Sequence, residues 1–343
     1  MAELCQNGKL CSKLNGLSSD GRYSILNTDE SMEKALVEHI AKSQHKLEFP
    51  TSFWTQFFIL FKRMLIQNKR NKSGIFIQLG YFLSSSLLVG GLFYNVGNNG
   101  ALPVVNFKFC LSCLVFVLYS HIMIPVLLFP FQVRLLQREY FNRWYSLKAY
   151  YAALTLSNLP LMCITGIMFT IITYLMSGQI LDWRRFVLFT LNSLLSAMCS
   201  EGFGLAIGAL FDVSNGCILA PALSAPLLAL SCYGIGFGPS IESFMKVLMG
   251  LSYMRYGVTG FTIALYQDRE KMDCPTEFCL YSDPKLILRD LGMSFDTYWV
   301  QIFGLVMFTV LHRGFAYLVL KYRLTAEFSS KFMNYISKFL KHR

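Results

Sequence analysis

The chain has 343 residues, of which 54% are hydrophobic and 15% charged, and its mean hydropathy is +0.44. A soluble domain carries about a quarter charged residues, so this composition excludes an ordinary soluble globule and indicates a membrane protein. The net charge of +11 does not indicate nucleic-acid binding, because lysines and arginines crowd the first 73 and the last 23 residues, outside the apolar runs. That placement is typical of cytoplasmic flanks on a membrane protein.

The first two segments of the chain are polar and then amphipathic. Residues 1–48 bury little apolar area and predict a cytoplasmic linker. In the segment 49–73, apolar residues recur at three- and four-residue steps among lysines and arginines, at Phe53, Phe57, Leu60, Phe61, Met64 and Leu65. This spacing predicts an amphipathic helix at the lipid headgroups, with its basic residues toward anionic lipid. A helix packed on a neighbouring helix is the alternative.

Six apolar runs are long enough to cross about 30 Å of hydrocarbon as helices. They lie near residues 74–94, 107–129, 151–176, 186–211, 217–237 and 299–320. Backbone groups find no water in the bilayer core, so each run is expected to be helical throughout. The predicted fold is therefore an all-α membrane protein with six transmembrane helices, preceded by the amphipathic helix.

The distribution of lysine and arginine predicts that both termini are cytoplasmic. Residues 238–298 then form a long extracellular loop, and residues 326–343 form a basic cytoplasmic tail. Arg184 and Arg185 conflict locally with this orientation, because they fall in a short outer loop. The N-x-S site at Asn71-Lys72-Ser73 is cytoplasmic in this topology, so we expect no glycan there.

The connector between the second and third runs is short and charged. It reads REYFNRWYSLK from Arg138 to Lys148 and faces the cytoplasm in the predicted topology. It serves either as a positive-inside anchor or as a surface on which a cytoplasmic partner acts. Composition favours the anchor.

Motifs for covalent chemistry are missing from this sequence. It contains no G-x-x-x-x-G-K-[ST] run and no G-x-S-x-G elbow. The histidines at 39, 45, 121, 312 and 342 form no ligand cluster. We therefore expect no catalytic residue, no metal site and no cofactor held by this chain.

Eight of the ten cysteines lie either in the predicted extracellular loop or in the predicted spans. Cys274 and Cys279 lie in the predicted extracellular loop, within the stretch DCPTEFC, where a disulfide is favoured over free thiols. Cys110 and Cys113 form a C-x-x-C at the start of an apolar helix, which favours packing over metal or redox use. Four further cysteines lie within the spans and are interpreted as small apolar residues, namely Cys163, Cys199, Cys217 and Cys232.

Charges within spans are costly and therefore informative. Glu201 and Arg313 lie toward the cytoplasmic side of their spans in the predicted topology. They either hold the bundle together, by pairing or by bonding neighbouring carbonyls, or belong to a relay that moves during transport. Gly204 and Gly208, four residues apart, permit the close approach of another helix.

Several separate blocks resemble the membrane domain of ABC transporters of the G (White) subfamily. These blocks are RWYSLKAYYAAL, RRFVLF, LAIGALF, LSYMRYGVTGFTIALY, DRE followed by two cysteines, and ILRDL. The resemblance covers residues from about 49 to 325 and is nearest to half-transporters that export sterols and phospholipids. It implies an ABC-2 type transmembrane domain over residues 74–325.

The resemblance also implies roles for particular residues. The segment 50–72 is similar to the connecting helix of that family, and the loop with Arg138 and Glu139 is similar to the coupling helix that contacts the ATPase domain. The substrate cavity of such proteins lies between the second and fifth spans of two protomers. The candidate lining residues here are Met123, Leu127, Leu227, Leu230 and Tyr233.

The resemblance further implies a homodimer or a heterodimer with another half-transporter, in a plasma or endosomal membrane, carrying a sterol or phospholipid. ATP and Mg²⁺ would bind to an ATPase domain that precedes the membrane domain and is absent from this sequence. We therefore expect the sequence to be part of a longer half-transporter. The alternative is a partner without transport activity that regulates a complete half-transporter.

Two local departures from the family pattern stand out. Gln132 follows FPF where family members commonly carry Glu, and SCYG at 231–234 replaces the usual Ser-Gly and two bulky apolar residues. The second departure affects the expected shape of the outer valve.

Overall fold

The structure is a computed structural model that describes residues 51–141, 144–233, 242–270, 272, 283–293 and 296–324. Within these residues the chain forms ten helices. They are α1 (Phe53–Arg70), α2 (Lys72–Leu92), α3 (Pro103–Phe141), α4 (Leu147–Met176), α5 (Trp183–Leu210), α6 (Val213–Cys232), α7 (Ser243–Gly250), α8 (Tyr253–Tyr266), α9 (Pro284–Asp290) and α10 (Tyr298–Leu324).

Six of these helices are long and apolar enough to cross a membrane, namely α2, α3, α4, α5, α6 and α10. This confirms the predicted number of spans and the all-α class. The helices differ in extent from the apolar runs, most of all α3, whose 39 residues make it about 58 Å long at 1.5 Å per residue. Hydropathy detects only the part of a helix that is apolar, and α3 continues beyond that part at both ends. The fifth run was predicted to reach residue 237, but residues 234–241 lie outside the described part of the chain.

Short polar side chains begin several helices. Ser52, Ser146 and Asp182 accept hydrogen bonds from the free backbone N–H groups of α1, α4 and α5, as N-cap residues do. Asn71 follows the last residue of α1, and its side chain accepts from the Gly74 N–H at 3.2 Å. One asparagine therefore ends the amphipathic helix and begins the first span.

The amphipathic helix α1 packs on the bundle along one side, as one of the two alternatives predicted. Its Leu60 and Met64 are buried against the helix bundle, so one side is a packed helix–helix contact. Trp54, Phe58 and Ile59 on the other side are more than 60% exposed. Such exposed aromatic and aliphatic side chains suit the lipid boundary.

The segment predicted as an extracellular loop contains α7, α8 and α9 among its described residues. Nearly every residue of α8 is buried. With 14 residues, α8 is about 21 Å long and too short to span the hydrocarbon, which is why a search for spans passes over it. Gly257 and Gly260 let it approach Leu114 of α3 and Asn192 of α5 closely.

The helices α3 and α5 are in backbone contact, as the paired glycines predicted. A Cβ atom at Gly204 would collide with the Ile122 carbonyl oxygen, and one at Gly208 would lie 2.9 Å from the Pro125 carbonyl oxygen. Larger residues on α5 would separate the helices. Since α3 carries both Pro125 and Pro130 within its length, this contact supports the helix where proline interrupts its hydrogen bonding.

Arg185 has a structural role that accounts for its unexpected position. Its guanidinium donates to the carbonyl oxygens of Leu265 at 2.9 Å, Gln267 at 3.0 Å and Asp268 at 2.8 Å. These carbonyls end α8, where a cation is favoured. The prediction placed Arg185 in a short loop, whereas it lies in the first turn of α5, where it caps the end of α8.

Candidate functional site

The end of α3 is joined to α1 by a charged contact. Arg63 donates to both carboxylate oxygens of Glu139, with Nη2 to Oε1 at 2.6 Å and Nη1 to Oε2 at 3.1 Å. Tyr145 also donates its hydroxyl hydrogen to Glu139 Oε2. The Glu139 side chain is therefore held by groups from α1 and from the connector to α4, and this contact is here called the Arg63–Glu139 joint.

The joint changes the ionisation of its neighbours. The hydrogen bond that Arg63 donates to Glu139 raises the pKa of the Arg63 guanidinium above its usual value, with burial opposing the effect. Burial, followed by the hydrogen bond to Glu139, raises the pKa of the Tyr145 hydroxyl well above its usual range. Both groups therefore keep their protons at physiological pH, and the joint remains a donor–carboxylate contact.

A second contact fastens α1 to the connector. The Gln56 side chain is buried, and its Oε1 accepts from the Ser146 N–H at 2.9 Å, while its Nε2 donates to the Thr51 carbonyl at 2.9 Å. Ser146 is the N-cap of α4. The start of the third membrane helix is thus tied to the amphipathic helix. Sequence reasoning missed Gln56, which looked like an ordinary polar residue on an amphipathic pattern.

The two residues predicted to contact an ATPase domain have different environments. Glu139 is 8% exposed within the joint, whereas Arg138 is exposed. Trp144, just beyond the end of α3, is 64% exposed. Arg138 and Trp144 are therefore accessible at this end of α3, whereas Glu139 is enclosed in the Arg63–Glu139 joint. Their role in coupling stays a prediction.

Glu201 and Arg313 form an ion pair between α5 and α10, with Arg313 Nη2 2.6 Å from Glu201 Oε2. Asn158 of α4 donates to the other carboxylate oxygen at 2.7 Å, and the Tyr151 hydroxyl donates to the Arg313 carbonyl at 2.8 Å. Three membrane helices therefore meet at this pair. Both Glu201 oxygens are therefore bonded, whereas Nε and Nη1 of Arg313 have no hydrogen-bond partner among the described residues. Sequence reasoning found the charges but missed Asn158, an amide within an apolar run.

The five candidate substrate residues lie on α3 and α6, which pack against each other. Met123 packs beside Ile122 and Val126, and Leu227 packs against the main core. Leu127 and Tyr233 are each 43% exposed. The part of α3 and α6 that carries these five candidate residues is here called the α3/α6 face. Met123 and Leu227 therefore contribute to helix packing, while Leu127 is exposed at the surface.

The cysteines of the described residues behave as packing residues. Cys110, Cys113 and Cys199 are buried, and Cys199 lies 3.3 Å from the His312 ring nitrogen Nδ1. Cys274 and Cys279 lie outside the described residues. Within the residues that the structure describes, no three histidine, cysteine or acidic side chains are grouped for a metal ion.

These features define a class. Six spanning helices, an amphipathic helix at their start and buried ion-paired charges between spans describe a multi-pass integral membrane protein. The sequence model of the family described as ABC-2 type transporter matches residues 55–266. This interval extends from α1 to the end of α8, and the chain belongs to that family.

Curated relatives agree with the resemblance to the G (White) subfamily. The chain is 27% identical to ABC transporter G family member 21 of Arabidopsis thaliana over 80% of this chain and 40% of the relative. It is 24% identical to Protein brown of Drosophila melanogaster over 78% of this chain and 40% of the relative. It is 25% identical to the ABC transporter ATP-binding protein/permease wht-1 of Caenorhabditis elegans over 63% of this chain and 32% of the relative. The chain thus spans less than half the length of these relatives.

Proposed function

We propose that this chain is the transmembrane half of an ATP-driven exporter of apolar lipid, with a sterol as the preferred cargo and a phospholipid as the other candidate. Transport would require a nucleotide-binding domain, which supplies ATP and Mg²⁺ binding, and a second half-transporter, identical or related. The membership in the ABC-2 type family supports a transport role. One relative is named as both ATP-binding protein and permease, which supports the requirement for an ATPase domain.

One observation carries the proposal. A single helix, α3, extends from the Arg63–Glu139 joint at one end past Leu127 of the α3/α6 face toward the other side of the membrane. Pro130 lies between Glu139 and Leu127 in this helix, and the close contact with Gly208 of α5 supports α3 there, so a push at one end reaches Leu127. Pressure on Arg138 and Trp144 would therefore tilt the part of α3 that carries the candidate substrate residues.

The chemistry of the α3/α6 face supports an apolar cargo. Its candidate residues are three leucines, one methionine and one tyrosine, and α6 shows a further exposed apolar side chain at Leu223. Apolar contact contributes about 25 cal/mol per Å² removed from water. A second half packed on this face would enclose the cargo between two copies.

Orientation completes the proposal. With both termini in the cytoplasm, α1 lies on the inner leaflet and the Arg63–Glu139 joint faces the ATPase domain. The exposed apolar side of α1 would rest in that leaflet. Plasma and endosomal membranes are the proposed sites of action.

Sterol efflux tests the proposal. Cells expressing the chain with a complete G-family half-transporter, and cells expressing either one alone, are loaded with labelled sterol or labelled phospholipid. We expect efflux that needs both chains and that decreases with Leu127→Trp in this chain. Efflux below that of the complete half-transporter alone would favour the regulatory partner. ATP hydrolysis by the purified chain alone would contradict the requirement for a separate ATPase domain.

A further inference from the structure

A polar cavity lies within the helix bundle. Its volume is about 140 Å³, and it is bounded by α1, α2, α3, α4 and α5. Its polar lining consists of Asn68, Asn71, Gln78, His121, Gln132, Asn158 and Glu201. Polar lining between membrane helices is expensive and marks functional positions more often than it does in soluble proteins.

One of these residues has an unmet hydrogen-bonding need. His121 of α3 is 4% exposed and lines the cavity. Its Nε2 atom has no hydrogen-bond partner among the described residues, although buried polar atoms are almost always paired. Its ring packs against the Phe82 ring, with the two ring centroids 5.2 Å apart.

The carboxylate that lines the cavity already has a basic partner. Glu201 is paired with Arg313 and bonded by Asn158. A smaller cavity of about 80 Å³ shares Asn68, Gln132 and Asn158 with the first, and its carboxylate, Glu139, is paired with Arg63. An anionic phosphate would meet a carboxylate in either cavity, which opposes its binding.

The remaining lining groups match one kind of ligand. Side-chain amides both donate and accept hydrogen bonds, and a neutral imidazole does the same through its two nitrogens. A hydroxyl group also donates and accepts, and it carries no charge that the site would have to balance. The cavity is therefore suited to a neutral hydroxyl group.

The cavity has an edge at the membrane-facing surface between α2 and α3. Gln132 is exposed and Leu128 is 52% exposed, and both line the cavity. On the same part of α2, Phe76 and Ile77 are 73% and 74% exposed. A ligand whose hydroxyl enters the cavity can therefore lay an apolar body along exposed apolar side chains.

We propose that this cavity binds the hydroxyl group of a neutral membrane lipid, either a sterol or a diacylglycerol, whose apolar body lies between α2 and α3. The site lies within a single chain, apart from the α3/α6 face, and binding there does not require transport. Its occupant would bridge α1, which lies on the bilayer, to the ion pair between α5 and α10.

Photolabelling in vesicles tests the proposal. The purified chain is reconstituted with one of three diazirine probes, a sterol with a free hydroxyl, the same sterol acetylated at that hydroxyl, or a diacylglycerol. We expect labelled peptides from α2 and α3 with at least one hydroxyl-bearing probe and about fivefold less labelling with the acetylated sterol, the size of one lost hydrogen bond. The two hydroxyl-bearing arms identify which lipid is bound.

Variants make the test specific to the cavity. Gln132→Leu and His121→Phe should each lower labelling by about fivefold, while Gln137→Leu, an amide on the same helix that lines neither cavity, should leave it unchanged. Gln132 is exposed, so its variant folds even where His121→Phe does not. Equal labelling by the acetylated sterol, no labelling of α2 or α3, or full labelling of Gln132→Leu would overturn the proposal. Because this readout is binding, its failure is distinguishable from a failure of sterol efflux.

Discussion

Arg63 holds both carboxylate oxygens of Glu139, although 76 residues separate the two in the chain. The contact connects α1 with the C-terminal end of α3, a helix long and apolar enough to cross a membrane. Sequence spacing could not predict this pair, because Arg63 and Glu139 lie in two different helices, α1 and α3. Their geometry makes a movement of one helix a movement of the other.

Replacing Glu139 by Gln should weaken this joint. The substitution removes the charge that Arg63 and Tyr145 both contact and should lower the free energy of unfolding by about 1–2 kcal/mol. We keep the estimate modest because the Arg63 side chain is 38% exposed, so solvent screens part of the interaction. The thermal midpoint of the purified chain in detergent measures the change.

Arg134→Gln supplies a matched control for that variant. Arg134 pairs with Asp212 at 3.1 Å, but both side chains are 62% exposed, so its loss should cost less than about 1 kcal/mol. The same midpoint shift in both variants would show that the Arg63–Glu139 joint is no stronger than a surface ion pair.

Replacing Glu201 by Gln should be far more damaging. The variant leaves the Arg313 guanidinium buried without its counter-charge, which costs about 3–5 kcal/mol. We expect little folded protein in membranes, measured as the monodisperse fraction by size-exclusion chromatography. The double variant Glu201→Gln with Arg313→Met should recover much of that fraction, because it removes the stranded charge. A double variant as poor as the single one would mean that the pair itself is required.

The spans and the charges within them were open to prediction for a common reason. A bilayer demands about 20 apolar residues per helix, so a charge such as Glu201 stands out against its surroundings. Gly204 and Gly208 were recognisable because close helix packing in membranes needs small residues. In each case the bilayer restricts which residue types are allowed at a position, and this restriction is visible in the local sequence.

The features that escaped prediction depend on tertiary contacts. The helix α8 is buried by its neighbours, yet its length fits neither a span nor a surface loop pattern. The role of Asn158 depends on its hydrogen bond to Glu201, which lies 43 residues away in the sequence. The Arg63–Glu139 joint likewise exists only once α1 and α3 meet. No local pattern encodes such partners.

Gly204→Ala should destabilise the contact between α3 and α5. The new methyl group would collide with the backbone carbonyl of Ile122, which cannot rotate away as a side chain would, so we expect a loss of about 1–3 kcal/mol. Gly314→Ala on α10 is the control, because nothing lies within 4 Å of a Cβ atom there. Thermal midpoints of both variants decide the matter, and an unchanged midpoint for Gly204→Ala would mean that α3 and α5 separate freely.

Leu127→Trp should reduce sterol efflux without loss of folded protein. Leu127 is 43% exposed on the α3/α6 face, so a larger ring there meets open space in one chain and obstructs whatever binds that face. Val310→Trp on α10, at a side chain 66% exposed, adds the same bulk on a helix outside both the α3/α6 face and the proposed lipid site between α2 and α3, and should leave efflux unchanged. Efflux is measured in cells that also express a complete half-transporter, with surface amounts equalised. If both variants transport equally well, the α3/α6 face is not the route of the cargo, and the exposed members of the predicted set serve the lipid boundary instead.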